Sequence, residues 1–306
     1  MKNVFATSVQ VITIIAILFY LYFAPSIFQI DQTTLYFCAI IVSLLYIVVL
    51  DEFYGILMMF LVVIMYFSRM IPRESMTDSY DLYENAEIVV SRYKEKLDWL
   101  GTEPFSEFNH VIYNKSSDSN FYTSEKTTSV IDLPNVGKCD HTYLYHIVEN
   151  YDTLKDITIF LPGSVDMSFK IGNATRIVDS LKTTPESTIV SVPCNDVAAD
   201  LSGFTLDNWR TSDGVNYDDS VPDDTELADI RPFGEWFKHH FGDLQIKHIS
   251  YFAIMAISKK HIHNHPKSYY ESLLSELDKS SNPEVGHFFE RAWVAIFHPM
   301  DGLVAL

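Results

Sequence analysis

The pair of side chains best suited to acid–base chemistry in this chain is a glutamate and the tryptophan three residues after it. Glu290 and Trp293 lie in segment 285–297, whose apolar residues predict a helix, and a spacing of three makes two side chains neighbours on a helix. A carboxylate beside an indole in a partly desolvated cleft has a raised proton affinity and can accept the proton of a hydroxyl group. Glu290 is therefore the candidate general base. The alternatives are a structural ion pair with Arg291 and an exposed helix charge.

Histidines offer a second kind of chemistry, metal binding. His261, His263 and His265 alternate along the chain, which is one pattern of a metal site, but their position just before a helix that starts at Pro266 favours a turn. His141 and His146 are five residues apart and fall on different faces of a predicted helix, so they do not share a metal.

Two cysteines, Cys139 and Cys194, follow residue 70. With so few cysteines, free thiols are the favoured state, and one disulfide between them is the alternative.

The charges of the chain are divided unevenly between two parts. The formal net charge is −18 although the mean hydropathy is +0.06. Residues 1–70 carry a net charge of −1, which leaves −17 for residues 71–306. This composition excludes a disordered chain and a disulfide-dense mini-protein, and it disfavours a nucleic-acid binder, which needs a basic face.

Three runs without a formal charge, residues 3–30, 32–50 and 53–68, dominate the first part. A membrane span takes roughly 20 apolar helical residues, so the runs predict a membrane anchor of two or three transmembrane helices over residues 1–70. The expected localisation is that of a multi-pass integral membrane protein with the lipid bilayer as a partner. A cleaved signal peptide is disfavoured because no small-x-small cleavage site follows the first run.

The side of the membrane stays open. Arg69 and Arg73 favour a cytoplasmic domain, whereas the triplets at Asn114 and Asn173 favour the lumen.

After a polar linker at 71–85, strand-like and helix-like segments alternate over residues 86–300 and predict one α/β domain with a mostly parallel sheet. An acidic, turn-rich loop over 195–230 interrupts the alternation, and its length indicates a functional loop. The predicted strands are 86–91, 110–113, 157–161, 188–192 and 249–257, and the predicted helices are 94–100, 140–151, 169–181, 233–241, 267–277 and 285–297.

Several blocks of this domain resemble an uncharacterised family of fungi and large DNA viruses that is grouped only as a domain of unknown function. The blocks read EIVVSRYKEKLDWL at 87–100, LPNVG at 133–137, HTYLY at 141–145, ITIFLPG at 157–163 and GHFFERAWVAIF at 286–297. The resemblance covers roughly residues 86–299. The chain departs from the family pattern at Lys94, Lys96 and Asp140, so the resemblance assigns these residues no role.

That family is more distantly similar to nucleotide-sugar glycosyltransferases with a single α/β domain. The similarity implies a donor site beyond the carboxyl ends of the strands. The residues expected to bind substrate are Arg92, Tyr93, Lys115, Asn135, His141, Gly163 and Trp293. In such transferases a pair of aspartates that binds a divalent cation follows the middle strand, and this chain has only Asp166 there. A metal-independent site is therefore favoured, and Mg²⁺ or Mn²⁺ held by Asp166 and substrate phosphates is the alternative.

Two functions are consistent with these features. The leading hypothesis is a membrane-anchored glycosyltransferase-like protein that passes a sugar from a nucleotide-sugar donor to a hydroxyl acceptor activated by Glu290. The alternative is a catalytically inactive, membrane-anchored interaction or scaffold protein that meets its partner through the acidic loop.

Overall fold

A computed structural model divides the chain into two units, Met1–Ser79 and Tyr80–Leu306. The structure describes residues 81–208 and 225–306, together with Ile40, Ser43, Phe53, Ile56 and residues 59–63. The fold is that of the second unit.

The expectation of transmembrane helices is corrected by the structure. Among the described residues, none of the helices combines the length and the apolar character needed to cross a lipid bilayer. This finding overturns the predicted anchor of two or three spans and the predicted multi-pass integral localisation. The three charge-free runs lie almost wholly outside the described residues. A run without charge reports only the polarity of its side chains, whereas a span also requires one uninterrupted helix of roughly 20 residues.

The second unit is a single α/β domain built on a mostly parallel, seven-stranded sheet, as the alternating pattern predicted. The strand order is β3-β2-β1-β4-β7-β5-β9. Strands β1 to β4 are parallel to one another, β7 is antiparallel to β4 and β5, and β9 is parallel to β5. The strands of this sheet are β1 (Ala86–Arg92), β2 (Asn109–Asn114), β3 (Thr127–Asp132), β4 (Ile157–Pro162), β5 (Thr188–Pro193), β7 (His248–Ser258) and β9 (Val304–Ala305). A separate two-stranded pair joins β6 (Thr225–Glu226) to β8 (Asn282–Pro283).

Helices cover both faces of the sheet. They are α1 (Leu82–Asn85), α2 (Lys138–Asn150), α3 (Ser168–Thr183), α4 (Val197–Asp200), α5 (Phe233–Phe241), α6 (Lys259–Ile262), α7 (Lys267–Leu274) and α8 (Glu284–Ile296). Short 3₁₀ helices occupy Asp98–Gly101, Phe105–Glu107 and Leu206–Asn208.

The hydrophobic core forms two layers because the central strands are buried on both faces. Val89 and Phe160 face the layer of α2, α5, α7 and α8, whereas Ile88 and Ile159 face the layer of α3 and the first two 3₁₀ helices. Successive strand residues point to opposite faces. The nearly continuous apolar runs of β1 and β4 are therefore typical of central parallel strands.

Several segments differ from the sequence-based prediction, and three of them bear on how it was made. The predicted helix at 94–100 is replaced by the 3₁₀ helix Asp98–Gly101, because Leu97 adopts a left-handed φ of 64° that ends regular helix geometry. Strand β3 was not predicted: its residues are alternately half-buried and exposed, so it lacks the apolar run of the central strands. In the predicted acidic loop, α4 and a 3₁₀ helix interrupt residues 195–208, and residues 209–224 lie outside the described part.

Candidate functional site

The sheet has a topological switch point between β1 and β4. From β1 the chain moves outward to β2 and β3 and then returns to form β4 on the other side of β1. In open α/β sheets, ligands bind in the crevice outside the carboxyl ends of the strands at such a point. In this chain the region expected to hold such a ligand lies beyond Arg92 at the end of β1 and Pro162 at the end of β4, and we call this region the crevice.

Gly163 closes the floor of this crevice. Its N–H donates to the Ser91 carbonyl at 2.7 Å, and its carbonyl accepts the indole N–H of Trp99 at 2.9 Å. A Cβ at position 163 would lie 2.8 Å from Oε2 of Glu95. The absence of a side chain at position 163 therefore lets the Glu95 carboxylate pack directly against the end of β4.

Arg92 has a structural environment inside the domain. The side chain is fully buried, and its guanidinium donates to Asn114 Oδ1 at 2.5 Å, to the Glu95 carbonyl at 2.8 Å and to Asp118 Oδ2 at 3.0 Å. It also lies 4.1 Å from the ring centre of Phe121. These bonds join the ends of β1 and β2 to the following loop, so Arg92 supports the edge of the crevice from within. The neighbouring Tyr93, by contrast, is exposed.

Lys115 is directed at the start of α2. Its buried ammonium group donates to the carbonyls of Val136, at 2.5 Å, and Lys138. Burial lowers the pKa of Lys115 to about 8. The cation therefore holds the turn that begins α2, and Asn135 lies exposed on the same turn.

His141 follows on the same helix. It is buried, its ring stacks on Tyr145 at an interplanar angle of 17°, and burial lowers its pKa to about 4. Within the described part of the chain, its Nδ1 atom has no hydrogen-bond partner. His141 is therefore an uncharged packing residue.

A buried carboxyl group, Asp140, lies between α2 and α8. Its Oδ1 accepts the indole N–H of Trp293 at 3.0 Å. Burial, followed by the negative charge of Glu290, raises the pKa of Asp140 to about 7, although the charge of Lys138 opposes the increase. Trp293 thus binds Asp140 and not the glutamate three residues before it. The carboxyl group that titrates near neutrality is Asp140.

Glu290 itself reaches the carboxyl edge of the sheet. Its side chain is 25 % exposed, and Oε1 accepts the backbone N–H of Phe252 at 2.7 Å. The guanidinium of Arg291 lies 3.6 Å from Oε2, and Arg291 also donates to the His287 carbonyl at 2.7 Å. Glu290 is therefore a fixed, partly accessible carboxylate that interacts electrostatically with the buried Asp140.

Phe252 belongs to an irregular segment of β7. The pairing of β5 with β7 shifts between Ile189 and Ser191, and Phe252 and Ala253 have left-handed φ values of 67° and 55°. Tyr143 Oη donates to the Ala253 carbonyl at 2.8 Å. A bulge of this kind re-aims side chains and is common beside active sites. It presents the N–H of Phe252 to Glu290 and leaves the phenyl ring of Phe252 exposed.

The turn after β4 brings further polar groups to the same edge. Lys170, in the first turn of α3, donates to Ser164 Oγ at 2.8 Å, and the rings of Phe169 and Phe252 are 5.2 Å apart. This ring contact joins the beginning of α3 to the bulge that holds Glu290. The crevice, the start of α3 and the Glu290 carboxylate therefore form one continuous edge.

Metal binding is not evident in the described part of the chain, where no group of three or more histidine, cysteine, aspartate or glutamate side chains could hold a metal ion. Asp166 is an exposed residue of the turn after β4. The rings of His261, His263 and His265 bond to the backbone carbonyls of Asp301, Tyr151 and His298, respectively. Both Cys139 and Cys194 are free thiols.

Sequence reasoning missed Glu284, a fully buried carboxylate at the start of α8. Its oxygens accept the N–H groups of Leu206 at 2.7 Å and Ala228 at 2.9 Å, and Arg231 donates to it at 2.9 Å. Glu284 thus ties together the two ends of the segment between Leu206 and Ala228. The sequence offered only a helix-start signal at this position, because an acidic residue at a helix N-terminus ordinarily faces water.

Comparison with known proteins places the chain in a family without assigning an activity. The chain belongs to the family described as Protein of unknown function (DUF3431), whose model matches residues 88–302. No curated protein matches the chain.

Proposed function

We propose that this member of an uncharacterised family is a glycosyltransferase-like enzyme that passes a sugar from a nucleotide-sugar donor to a hydroxyl acceptor. One observation carries the proposal: the accessible carboxylate of Glu290 is fixed at the carboxyl edge of an α/β sheet, beside the crevice at its switch point. The single α/β domain that the resemblance to nucleotide-sugar transferases implied is consistent with the same reaction class.

Glu290 supplies the base. In the proposed reaction it accepts the proton of the acceptor hydroxyl while the hydroxyl oxygen attacks the anomeric carbon of the donor. The bond between that carbon and the phosphate oxygen breaks, and the nucleoside diphosphate leaves with the electron pair. General-base catalysis of this kind contributes about 10²- to 10⁴-fold in rate.

The donor diphosphate is assigned to the start of α3. Lys170 and Ser164 lie there at the carboxyl end of β4, and the N-terminus of a 16-residue helix favours negative charge. A local cation is needed because residues 71–306 carry a net charge of −17, which repels an anionic donor at long range. Asp166, on the same turn, is the carboxylate that would share Mg²⁺ or Mn²⁺ with the donor phosphates.

A thermal-shift screen of the purified full-length chain tests the proposal. At least one of the UDP-, GDP-, CMP- and dTDP-sugars, with or without Mn²⁺, is expected to raise the unfolding temperature, because a ligand that binds only the folded state stabilises it. Lys170→Ala should reduce that shift. The matched control is Lys182→Ala, which removes an exposed lysine from the same helix and should leave the shift unchanged.

The competing function is a catalytically inactive interaction or scaffold protein. It is favoured by the internal bonding of Arg92 and Lys115, two cations expected to face a donor. An absence of stabilisation by every donor, with and without Mn²⁺, would contradict the transferase and favour this alternative.

A further inference from the structure

Three exposed apolar side chains lie together at the edge that carries Glu290. Phe169 is 51 % exposed, Met167 45 % and Phe252 41 %. The rings of Phe169 and Phe252 are 5.2 Å apart with an angle of 58° between their planes, so the two rings are in contact while both residues remain exposed. We call Phe169 and Phe252 the aromatic platform.

The backbone that carries Phe252 of the aromatic platform has an unfavourable conformation. Phe252 and the next residue, Ala253, both adopt left-handed φ values, which L-residues other than glycine rarely adopt. The Phe252 N–H bond to Glu290, the Tyr143 bond to the Ala253 carbonyl and the bond from Ser250 Oγ to the Ile254 carbonyl at 3.1 Å support this segment. Strained backbone of this kind concentrates at functional sites.

The rim of the platform is polar. Lys170 Nζ lies 5.8 Å from the ring centre of Phe169 and bonds to Ser164. The Glu290 carboxylate is bound to the backbone N–H of Phe252 itself. An exposed aromatic pair beside a cation, a hydroxyl and a carboxylate is unsuited to a lipid chain or an apolar peptide, because either would remove the two charged groups from water without offering them a new partner.

We propose that the aromatic platform is the acceptor subsite and that it binds one pyranose ring of a saccharide. A pyranose has an apolar C–H face, which the negative face of an aromatic ring attracts, and a perimeter of hydroxyl groups, one of which can bond to Glu290 while Lys170 and Ser164 hold the donor diphosphate. A hydroxyl of a sugar on Phe252 would lie beside the carboxylate that must accept its proton. The inference rests on the proposed function and names the chemical class of its acceptor.

A printed array of glucose-, galactose-, mannose-, xylose- and N-acetylhexosamine-terminated glycans, probed with the full-length chain, tests the subsite. The wild-type chain should bind at least one class, and calorimetric titration with the strongest glycan should give at least tenfold weaker binding for Phe169→Ala and Phe252→Ala. Phe169→Trp should retain binding and Phe169→Leu should lose it, because the platform acts through an aromatic face. Val130→Ala, at a 47 % exposed position on strand β3, is the matched control and should bind like wild type.

The inference is overturned if the wild-type chain binds no glycan, or if Phe169→Ala binds the glycan as tightly as wild type does. It is also overturned if the platform variants lose binding to free UMP, GMP or CMP and not to the glycan, since the platform would then hold a nucleobase. Near-ultraviolet circular dichroism checks the fold of each variant. If Phe252→Ala is unfolded, the binding of glycan by Phe169→Ala alone decides whether the subsite is retained. The array contains no nucleotide, so it tests the subsite separately from the donor site. Glycan binding without donor binding would retain the subsite and reject the transferase. Donor binding without glycan binding would retain the transferase and reject the subsite.

Discussion

Asp140 and Glu290 interact electrostatically but have different surroundings. Asp140 is buried and accepts a hydrogen bond from Trp293, so its uncharged form is favoured at a pH where an exposed carboxyl is ionised. Glu290 is partly exposed and faces two donors, the Phe252 N–H and the Arg291 guanidinium. Two interacting carboxyl groups with different environments are the usual arrangement for dividing acid and base roles. We assign the reacting position to Glu290 because it is the accessible one.

Asp140→Asn should change the pH dependence of stability. The pKa of Asp140 is about 7 in the folded chain and about 3.9 when unfolded, so the folded state binds more protons between these values. The free energy of unfolding therefore falls as pH rises through this window and is constant above it. Asparagine lacks this titration, and at about 1.4 kcal/mol per pKa unit the variant should gain on the order of 4 kcal/mol relative to wild type as pH rises from about 4 to about 7. Urea unfolding of both chains at several pH values between about 4.5 and 8 measures the difference, and parallel curves would contradict the account.

Local spacing led to the prediction of Glu290 as the base but could not identify the partner of Trp293. The partner, Asp140, is 153 residues away in sequence, and no local pattern encodes that contact. Arg92 and Lys115 illustrate the same limit. Their positions at the ends of β1 and β2 were readable from the apolar runs, whereas their inward direction depends on the loop at 116–121 and the turn at 133–138, which approach them only in the folded domain.

The start of α2 depends on a glycine that permits a close approach. Gly137 has a φ of 58°, and a Cβ there would lie 2.5 Å from the Leu277 carbonyl oxygen and 2.6 Å from the His141 Cβ. Both contacts are with rigid atoms. The glycine therefore fixes where α2 begins and, with it, the positions of Lys138 and Asp140.

Gly137→Ala should destabilise the chain by about 3 kcal/mol, because it combines a left-handed Cβ with a backbone clash. Gly172→Ala is the matched control in α3. No heavy atom lies within 4 Å of a Cβ there, so the change should stabilise the helix by about 0.5 to 1 kcal/mol. Chemical denaturation distinguishes the two, and equal effects would show that the close approach at Gly137 is not a constraint.

The segment between Leu206 and Ala228 depends on Glu284. Glu284→Gln replaces an acceptor oxygen by an amide that cannot accept from Leu206, Ala228 and Arg231 together. Leaving a buried hydrogen-bond donor unpaired typically costs about 1 to 3 kcal/mol. We expect a loss of that size in urea unfolding, whereas Glu271→Gln on the exposed side of α7 should change little. A loss below about 0.5 kcal/mol would contradict the role of Glu284 as an anchor.

The elements that the sequence predicted well are those with a strong helical period or a continuous apolar run. The predicted helix at 233–241 and the predicted strand at 157–161 were observed as Phe233–Phe241 and Ile157–Pro162. The bulge in β7 was not predictable, because Phe252 and Ala253 are apolar residues inside an apolar run and nothing in their type signals a left-handed backbone. The bulge is held by bonds from Glu290 and Tyr143, which come from other elements.

The division of charge at about residue 70 agrees with the division of the chain into the units Met1–Ser79 and Tyr80–Leu306. Composition could not establish more than that division. The apolar character of residues 1–70 suggested membrane spans that the described helices do not contain, because hydropathy reports the preference of side chains for water and not the length of a helix.

Residues 80–306 should fold without the first unit. All pairings of the seven-stranded sheet lie within them, as does the family match over residues 88–302. The fragment is expected to unfold cooperatively in urea and to retain the stabilisation by Asp140→Asn above about pH 7. A control fragment that begins at residue 93 lacks the central strand β1 and should not fold. If the fragment 80–306 gave no near-ultraviolet circular dichroism signal, the first unit would be required for folding.

The proposed role of Glu290 as the base at the sheet edge is most directly tested by the turnover of Glu290→Gln with the nucleotide sugar that stabilises the chain most. Glutamine preserves the shape of the side chain and the bond from the Phe252 N–H but cannot accept the proton, so kcat should fall by at least about 100-fold while the thermal shift by the donor is unchanged. Glu235→Gln, at an exposed position of α5, should retain the wild-type rate. Wild-type turnover by Glu290→Gln would contradict the assignment of Glu290 as the base.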